Sequence, residues 1–510
     1  MRNRNIMLGA LLWLASIAMG KTEKLQIMVL PDKVITSGFL GNGVQWSAYP
    51  HADTPDAEWG MLMTDAKWEK VFSRISYMKP GMVRVLDQAN WRYLKGFDES
   101  GKAILNFHSP EVLALEKLLS YCQKNNITVL LGEWGCPYKA HDQNAGLSAV
   151  FSGAADPRWV DMIVRFLQYL INEKGYTCIK YYNFVNEPNG SWASTNGNWD
   201  EWSNGIRMLK VALDKYDLSG KISIAGPDAV AHFDHPESPY TGVQWVEESV
   251  KQLDDYIGLY DIHSYPGFNQ VRTGNFGEFY GKIAQMVRKI RKPIILGEIG
   301  FNRDTPENQA RVKKDKFSSE DSQMAVYDFS YGIDMANVLI QTMNAGYSSA
   351  IAWSLDDAMH TKDDSGDVHQ LKRWGFWNIL GTELCNNPAD ENIRPWFYTW
   401  SLMCRYFPQG INIVTSVPSQ ADRVLTVSGF DKRGITIAMV NLSAKERDIC
   451  INIPVKGYKQ DFRQYIYSEN LRPVNNDGFP VSVRKISASR GKLETRIPAN
   501  SFILFTSFDF

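Results

Sequence analysis

Three glutamates stand where apolar runs end in turns, and glutamate pairs are what hydrolysis of a glycosidic bond requires. Glu187 ends an apolar and aromatic run and lies between Asn186 and Pro188. Glu133 and Glu298 each occupy a Gly-Glu-x-Gly sequence that closes an apolar run. In glycoside hydrolysis one carboxyl group protonates the departing oxygen, and the other attacks the sugar or activates water. The three glutamates are therefore candidate catalytic carboxyls.

Runs of strand character alternate with segments of helical period along most of the chain. Ser109-Pro110 and Asp156-Pro157 each give a helix N-cap followed by proline at the first helical position. The alternation predicts an α/β fold with a (β/α)₈ TIM barrel, and a doubly wound sheet is the alternative. The eight predicted strands span 39–46, 82–86, 128–134, 179–187, 222–227, 259–265, 293–299 and 350–354.

The last hundred residues have a different pattern. From about residue 411 short alternating strands follow one another without helical period, which predicts an appended all-β sandwich domain. The predicted domains are a catalytic barrel over 36–405 and a β-sandwich over 406–510. The strand-like segment 21–35 precedes the barrel and could pair with the sandwich.

The N-terminus has the pattern of a secretory signal peptide over residues 1–20. Arg2 and Arg4 precede a short apolar run that ends in Ala18-Met19-Gly20, a small-residue cleavage site. The run is too short to span a membrane. We therefore predict a secreted or periplasmic protein without a membrane span.

Composition narrows the class of partner. Lys plus Arg (55) nearly balances Asp plus Glu (56), so there is no electrostatic reason to expect nucleic acid. The six cysteines lack the spacing of a metal site. The acidic loop 356–367 lacks the regular ligand spacing of a calcium site and is interpreted as a solvated loop. The sequence predicts a monomer that uses neither a cofactor nor a metal and binds a neutral ligand.

Chemistry in a barrel of this kind lies at the carboxyl ends of the strands. Polar groups buried without partners are costly, so a set of them at strand ends is hard to explain by packing alone. The third strand neighbours the fourth, whereas the seventh faces it across the barrel mouth, and a sugar must fit between the pair. This favours Glu298 over Glu133 as the partner of Glu187. The predicted strand ends carry Trp46, Arg84, Glu133, Asn186, Glu187, His263, Tyr265, Glu298 and Trp353.

Four motifs in this order resemble clan A of the glycoside hydrolases, and the appended sandwich is similar to that of families 5, 30 and 39. The motifs are Asn186-Glu187-Pro188, His263-x-Tyr265, Glu298 in ILGEIG and Trp353 in IAWSL. The resemblance covers roughly residues 36–405.

The resemblance implies a retaining mechanism with Glu187 as acid/base and Glu298 as nucleophile. It also implies that Arg84 orients Glu298 and that Tyr265 is hydrogen-bonded to it, which would favour the ionised carboxylate. Asn186 would bind the sugar's 2-hydroxyl. His263 would line the site, and Trp353 would stack under the sugar ring.

For three residues the sequence leaves two roles open. Glu133 either binds a sugar hydroxyl or accepts a hydrogen bond from a neighbouring strand-end group. Trp134 and Trp46 either form a neighbouring sugar subsite or pack loops.

The sequence thus favours a secreted retaining glycoside hydrolase that cuts poly- or oligosaccharides. The best candidate substrate is a neutral β-glycan such as β-glucan, cut internally. The alternatives are an exo-acting β-glycosidase on oligosaccharides and a non-catalytic glycan-binding protein on the same scaffold. A phosphate-handling barrel is disfavoured because no glycine-rich anion loop follows the seventh or eighth strand.

Overall fold

The computed structural model describes residues 24–47, 49, 62–136, 151–359, 370–420, 422–453 and 461–510. The predicted signal peptide and most of the acidic loop lie outside these residues. In the described part of the chain, no helix is both long enough and apolar enough to cross a membrane.

The described chain forms a closed barrel of parallel strands and a separate, largely antiparallel sheet. The barrel strands are β2 (Gly43–Gln45), β3 (Met82–Asp87), β6 (Thr128–Glu133), β7 (Ile179–Asn183), β8 (Ser223–Val230), β9 (Ile257–Ser264), β10 (Ile294–Ile299) and β11 (Ser349–Ala352). The sheet contains β1 (Leu25–Thr36), β12 (Asn412–Pro418), β13 (Val424–Asp431), β14 (Gly434–Asn441), β15 (Arg447–Asn452), β16 (Asp461–Tyr467), β17 (Arg484–Ser487), β18 (Lys492–Ile497) and β19 (Ser501–Thr506). A small hairpin joins β4 (Leu94–Phe97) to β5 (Ala103–Leu105).

Helices connect the barrel strands and surround them. They are α1 (Asp65–Met78), α2 (Ala89–Arg92), α3 (Pro110–Lys124), α4 (Pro157–Gln168), α5 (Trp199–Lys215), α6 (Gly242–Gln252), α7 (Phe268–Arg272), α8 (Asn275–Lys289), α9 (Pro306–Val312), α10 (Phe329–Ala345), α11 (Gly381–Cys385) and α12 (Phe397–Arg405). A π-helical turn, Tyr169–Glu173, extends α4, and short 3₁₀ turns occur at Met324–Tyr327, Asp357–Met359 and Pro388–Glu391. The (β/α)₈ barrel with an appended all-β domain is therefore confirmed.

Both predicted Ser-Pro and Asp-Pro helix starts are present. The Ser109 hydroxyl accepts a hydrogen bond from the Val112 backbone N–H at 3.3 Å, at the start of α3. The Asp156 side chain accepts one from the Arg158 N–H at 2.8 Å, at the start of α4. These caps satisfy N–H groups that have no partner within the helix.

Alternation along each barrel strand separates an interior from an exterior face. An apolar layer fills the interior below the site: Met82, Leu130, Ala225, Leu259, Ile295 and Ile351. The next inward positions are Arg84 on β3 and Asp261 and His263 on β9. The layer thus forms a floor of close-packed side chains on which the polar groups of the site rest.

The sheet packs against the barrel through α10. From Tyr331 to Met343 every residue of this helix is buried, because α10 contacts helices of the barrel on one side and β13 and β14 on the other. Tyr467 of β16 donates a hydrogen bond to the Phe329 carbonyl at 2.8 Å. A helix that is buried all round in this way joins the two domains through a continuous core.

The N-terminal strand β1 belongs to the C-terminal sheet. It pairs antiparallel with β12 and parallel with β15, in the order β17-β16-β19-β14-β13-β12-β1-β15-β18. Side chains of β1 (Leu25, Ile27, Val29) share one core with side chains of β14, β15, β18 and β19.

A buried ion cluster fixes the chain after β11. Asp357 accepts hydrogen bonds from Arg394 at 2.9 Å and from the Gly375 N–H at 2.8 Å, and Arg373 contacts Asp390 at 2.7 Å. Asp357 is fully buried, so the start of the acidic loop is not solvated as the sequence suggested.

We expect Arg394→Leu to lower the free energy of unfolding by about 3–5 kcal/mol, because it leaves Asp357 buried with less compensating charge. Urea titration followed by circular dichroism measures the effect. The control is Arg496→Leu, which removes an exposed pair with Asp448 and should change little. If both variants lose the same free energy of unfolding, the buried cluster contributes no more to stability than an exposed ion pair.

Candidate active site

A group of charged side chains converges at the carboxyl ends of the barrel strands. Arg84 comes from β3, Asp228 from β8, His263 from β9 and Glu298 from β10, and Glu187 lies in the loop after β7. Each is 8% exposed or less. Ionised groups are buried only when paired, and every member of this group contacts another.

Glu298 is held from two sides. Its Oε2 accepts a hydrogen bond from Arg84 Nη1 at 2.8 Å, and its Oε1 accepts one from the Tyr265 hydroxyl. Burial and the nearby Glu187 raise the pKa of the Glu298 carboxyl above its ordinary value, although His263 and Arg84 oppose the shift. The expectation from the sequence rested only on the ion pair with Arg84 and the hydrogen bond from Tyr265, both of which favour the ionised carboxylate. Desolvation favours the protonated form and is the largest cause of the shift in the pKa of Glu298.

Glu187 does not end a strand as predicted. Strand β7 stops at Asn183, and Glu187 lies four residues later with φ 48°. A positive φ is uncommon outside glycine and marks a specifically held backbone. The Glu187 side chain is therefore positioned by the turn itself and by its hydrogen-bond partners.

Those partners occupy both carboxyl oxygens of Glu187. His263 Nδ1 lies 2.9 Å from Oε1, and the Trp192 indole N–H donates to Oε2 at 2.5 Å. Trp192 is 45% exposed. Of the two partners, Trp192 is the one that a substrate could displace from the solvent side.

The two candidate catalytic carboxyls are close neighbours. His263 Nδ1 also lies 3.7 Å from Glu298 Oε2. An oxygen of Glu187 and an oxygen of Glu298 lie within 4.8 Å of each other, with the His263 ring against both.

His263 is fully buried among carboxylates. Burial lowers the pKa of its ring, but Asp228 and Glu298 outweigh burial, and the pKa lies well above its ordinary value. Asp228 Oδ1 lies 2.9 Å from the His263 Nε2. The carboxylates at both ring nitrogens therefore favour the charged ring, which donates from both nitrogens.

Asn186 connects the loop to this group. Its Oδ1 accepts a hydrogen bond from Arg84 Nη2 at 2.7 Å, and its backbone N–H donates to the Glu133 carbonyl at 3.0 Å. Asn186 is 6% exposed. It therefore lies beside Glu187 at the site, held on both its side chain and its backbone.

Aromatic side chains form one wall of the site. Trp353, directly after β11, packs with Leu86 and Trp374, and Trp134 and Tyr265 lie against this cluster. The Trp134 and Trp353 rings meet edge to face, with centroids 5.9 Å apart. Flat apolar faces beside hydrogen-bonding groups suit sugar rings.

Trp46 does not belong to this wall. It is fully buried between Phe72 and Tyr121, on the same outward face of the strand as Val44. The neighbouring Gln45 lies 3.5 Å from Arg84. Trp46 therefore packs α1 and α3 against the barrel, whereas the sequence offered a sugar subsite or the packing of loops.

Glu133 likewise faces away from the barrel axis. Its Oε1 accepts from the Tyr93 hydroxyl at 2.6 Å and its Oε2 from the Ala89 N–H at 3.2 Å, and it is 1% exposed. It therefore holds the start of α2 rather than a sugar. Burial, together with the charge of Asp87, raises the pKa of Glu133 to about 8.

This raised pKa predicts that Glu133 makes the protein less stable as pH rises. Between the ordinary value of 4.5 and about 8 the unfolded chain is ionised at this residue while the folded chain keeps the proton. Stability that is complete at low pH is thus lost across that window, by a few kcal/mol. In Glu133→Gln this part of the slope should disappear, because the amide does not titrate.

The measurement is the unfolding temperature of both proteins from about pH 5 to pH 9. A variant that loses stability with pH as steeply as the parent would show that Glu133 is already ionised in the folded protein.

Three residues near the site were not singled out as site residues from the sequence: Asp228, Asp261 and Trp192. Asp228 lies one residue beyond the predicted end of its strand, at 227. Period-two alternation along β9 could have identified Asp261, which is two residues before His263 on the same face. Trp192 gave only the general signal of a tryptophan in a glycine- and asparagine-rich loop.

Two groups of metal-ligand type occur in the described residues: Glu187, His263 and Glu298, and Asp228, Asp261 and His263. Arg84 makes ion pairs with a member of each, Glu298 at 2.8 Å and Asp228 at 2.9 Å. The protein itself supplies the positive charge that a metal ion would bring. We therefore assign no metal to either group.

Comparison with solved structures places this fold among glycoside hydrolases. A family 30 subfamily 8 xylanase from Clostridium acetobutylicum has a TM-score of 0.62 at 12% identity and covers 94% of this chain and 99% of that one. The catalytic domain of a family 30 xylanase from Talaromyces cellulolyticus has a TM-score of 0.61 at 13% identity, covering 94% and 99%. A family 39 β-xylosidase from Caulobacter crescentus has a TM-score of 0.58 at 11% identity, covering 95% and 99%.

No protein-family model matches the sequence, and no curated protein sequence matches it. The resemblance to clan A that the four motifs indicated is thus confirmed at the level of the fold: over nearly its whole length, the chain folds as solved glycoside hydrolases of families 30 and 39 do.

Proposed function

We propose that the protein is a retaining glycoside hydrolase with Glu298 as nucleophile and Glu187 as acid/base. One observation carries the proposal: the two buried carboxyls have oxygens within 4.8 Å of each other. Retaining enzymes hold their carboxyls about 5–5.5 Å apart, whereas inverting enzymes leave about 6.5–9.5 Å for a water molecule. Oxygens this close leave less room for a water molecule than the inverting arrangement has, which supports double displacement.

In the first step Glu298 Oε2 or Oε1 attacks the anomeric carbon while Glu187 donates its proton to the departing oxygen. A covalent glycosyl-enzyme forms, and the leaving-group sugar departs as an alcohol. In the second step Glu187 takes a proton from water, and the resulting hydroxide displaces Glu298. Arg84 and Tyr265 hold the Glu298 carboxylate in place and accept its change of charge without moving.

The proposed substrate is a neutral β-glycan. The sequence favoured β-glucan, but the solved structures with this fold include two xylanases and a β-xylosidase, which supports xylan and xylo-oligosaccharides as the first substrates to test. Trp134, Trp353 and Asn186 are proposed to bind the sugar at the cleaved bond. The small net charge of the protein, -1 at pH 7, agrees with a neutral ligand.

The test is a product time course on xylan, xylo-oligosaccharides and β-glucan, with the anomeric configuration followed by proton NMR. We expect the β-anomer to appear first and to equilibrate afterwards. A first-formed α-anomer would overturn the retaining mechanism. Product sizes separate internal cleavage from removal of terminal sugars. A protein that binds these glycans and releases no product would be the glycan-binding alternative.

We also propose that the protein acts outside the cytoplasm, on the support of the signal-peptide pattern in residues 1–20. N-terminal sequencing of the protein recovered from its native host tests this proposal. A mature N-terminus close to residue 21 is the expected result, and an intact Met1 would contradict it.

A further inference from the structure

Asp228 occupies the centre of the site at a cost in backbone energy. The pairing of β8 with β9 slips here, because Pro227 pairs with Asp261 and Ala229 with Ile262. Asp228 is the extra residue of a bulge and has φ 61°. A bulge re-aims a side chain next to an active site. The backbone thus turns the Asp228 carboxylate into the barrel, where it is 1% exposed.

The Asp228 carboxylate contacts the two residues that hold the candidate catalytic pair. Its Oδ2 accepts a hydrogen bond from Arg84 Nη2 at 2.9 Å, and its Oδ1 lies 2.9 Å from His263 Nε2. Arg84 in turn donates to Glu298, and His263 contacts Glu187 at 2.9 Å. Asp228 thus reaches each catalytic carboxyl through one intervening side chain, and its Oδ2 also accepts a hydrogen bond from the backbone N–H of Glu187 at 3.4 Å.

Asp261 lies behind Asp228 on the floor side of the site. An oxygen of Asp261 lies within 4.8 Å of an oxygen of Asp228, and Asp261 is fully buried, with no hydrogen-bond partner for either of its oxygens among the described residues. Gly297 leaves room for it, since a Cβ at this position would collide with the Asp261 carboxyl. Two neighbouring carboxyls in a buried site disfavour ionisation of both. Burial and the charge of Asp228 raise the pKa of Asp261 well above its usual range, which favours the protonated form of Asp261.

We propose that Asp228 is a positioning residue that keeps His263 a donor at both ring nitrogens, and that His263 thereby decides which oxygen of Glu187 carries the catalytic proton. This proposal rests on the proposed function of Glu187 and Glu298. Nothing in the scheme requires Asp228 to touch the substrate.

The geometry gives the reason. An ionised Asp228 accepts the His263 Nε2–H, and its negative charge stabilises the cation that also carries a proton on Nδ1. The Nδ1–H then donates to Oε1 of Glu187. A proton on Oε1 directed at the ring would oppose this N–H. Once a substrate displaces the Trp192 N–H that donates to Oε2, the acid proton of Glu187 is therefore placed on Oε2. That oxygen is the one beside Trp192, on the side from which a substrate enters.

Charged groups face His263 from four strands and from the loop after β7. Arg84 opposes the charge of the ring, whereas Asp228 and Glu298 favour it, and the raised pKa of Asp261 favours its neutral form. The groups are Arg84 on β3, Glu187 after β7, Asp228 on β8, Asp261 on β9 and Glu298 on β10.

The first measurement is made on the parent protein, and a variant serves only to assign the signal. In the full chain labelled with ¹⁵N-histidine, the His263 signal is assigned by its loss in His263→Asn, and both ring nitrogens should show the shifts of a protonated imidazolium at about pH 8. A neutral His263 ring at pH 7 would overturn the proposal.

The second measurement uses Asp228→Asn, which keeps the shape and removes the charge. The pH at which His263 loses its proton should fall by about two pH units. On the best xylo-oligosaccharide, kcat/KM should fall about 100-fold with little change in KM, and the alkaline limb of its pH profile should move in the same direction. The proposal fails if folded Asp228→Asn keeps the parent's His263 titration and pH profile.

Asp334→Asn is the matched control. Asp334 is also a buried aspartate paired with an arginine, Arg272, at 2.6 Å, but it lies in α10, away from the site. Asp334→Asn should lower the stability of the protein and leave the shape of the pH profile of kcat/KM unchanged. A parent enzyme that hydrolyses no glycan contradicts the proposed function, whereas hydrolysis with a neutral His263 contradicts only the role of Asp228.

Discussion

Replacing Glu298 by alanine lowers kcat for glycan hydrolysis at least about 10⁴-fold, because the covalent route requires the carboxylate that attacks the anomeric carbon. Sodium azide should restore turnover by occupying the space of the lost carboxyl. Azide then attacks directly and displaces the leaving group in one step, so the product is the α-glycosyl azide. The measurement is turnover with and without azide, together with NMR of the azide product.

Glu133→Ala is the control for this variant, since Glu133 stands in the same Gly-Glu-x-Gly sequence but faces Tyr93 and Ala89. We expect it to lower stability and to reduce kcat less than about tenfold. If Glu133→Ala is inactive while Glu298→Ala retains activity, the nucleophile has been assigned to the wrong strand.

Replacing Glu187 by alanine has an effect that depends on the leaving group. For a sugar leaving group the departing oxygen needs a proton, and kcat/KM should fall about 10²–10⁴-fold. For a dinitrophenyl glycoside the departing phenolate needs none, so the first step should be nearly as fast as in the parent protein. The glycosyl-enzyme then accumulates, because no base activates water.

Azide distinguishes this variant from the previous one. It attacks the accumulated glycosyl-enzyme and gives the β-glycosyl azide, with net retention. A burst of dinitrophenolate followed by slow turnover is the kinetic measurement. An equal loss on both kinds of substrate would show that Glu187 does not act as the acid.

The fold could be predicted from the sequence because most barrel strands are buried apolar runs and several of the helices between them have clear start signals. Ser109-Pro110 and Asp156-Pro157 begin α3 and α4 as expected. The boundaries were less accurate: the first barrel strand was predicted over 39–46, and β2 covers Gly43–Gln45. Burial pattern identifies a strand, but pairing with neighbours decides where it ends.

The site could be predicted in part, and side-chain direction explains which part failed. Trp46 and Glu133 stand at strand ends but point outward, as Val44 and Leu131 do on the same strands. Inward and outward faces alternate along a strand, so position at a strand end does not by itself place a residue in the site. The adjacent residues, Gln45 beside Trp46 and Trp134 beside Glu133, are the ones that point toward the site.

Asp228 could not be found by alternation at all. The bulge in β8 inserts a residue and reverses the faces from that point on. Nothing in the run Ile224-Ala225-Gly226-Pro227-Asp228 specifies the slip, since it results from the pairing of β8 with β9. The residue that links Arg84 to His263 therefore became visible only in three dimensions.

The position of β1 has a consequence for how this protein can be divided. Because β1 lies between β12 and β15, the C-terminal sheet is not a contiguous module: a fragment cut at residue 406 would lack an interior strand and expose the edges of both neighbours. During synthesis, residues 25–36 must wait for the last hundred residues to be made before they find their partners. The barrel and the sheet therefore cannot be exchanged as independent cassettes, and any graft of this sheet onto another enzyme has to carry both ends of the chain.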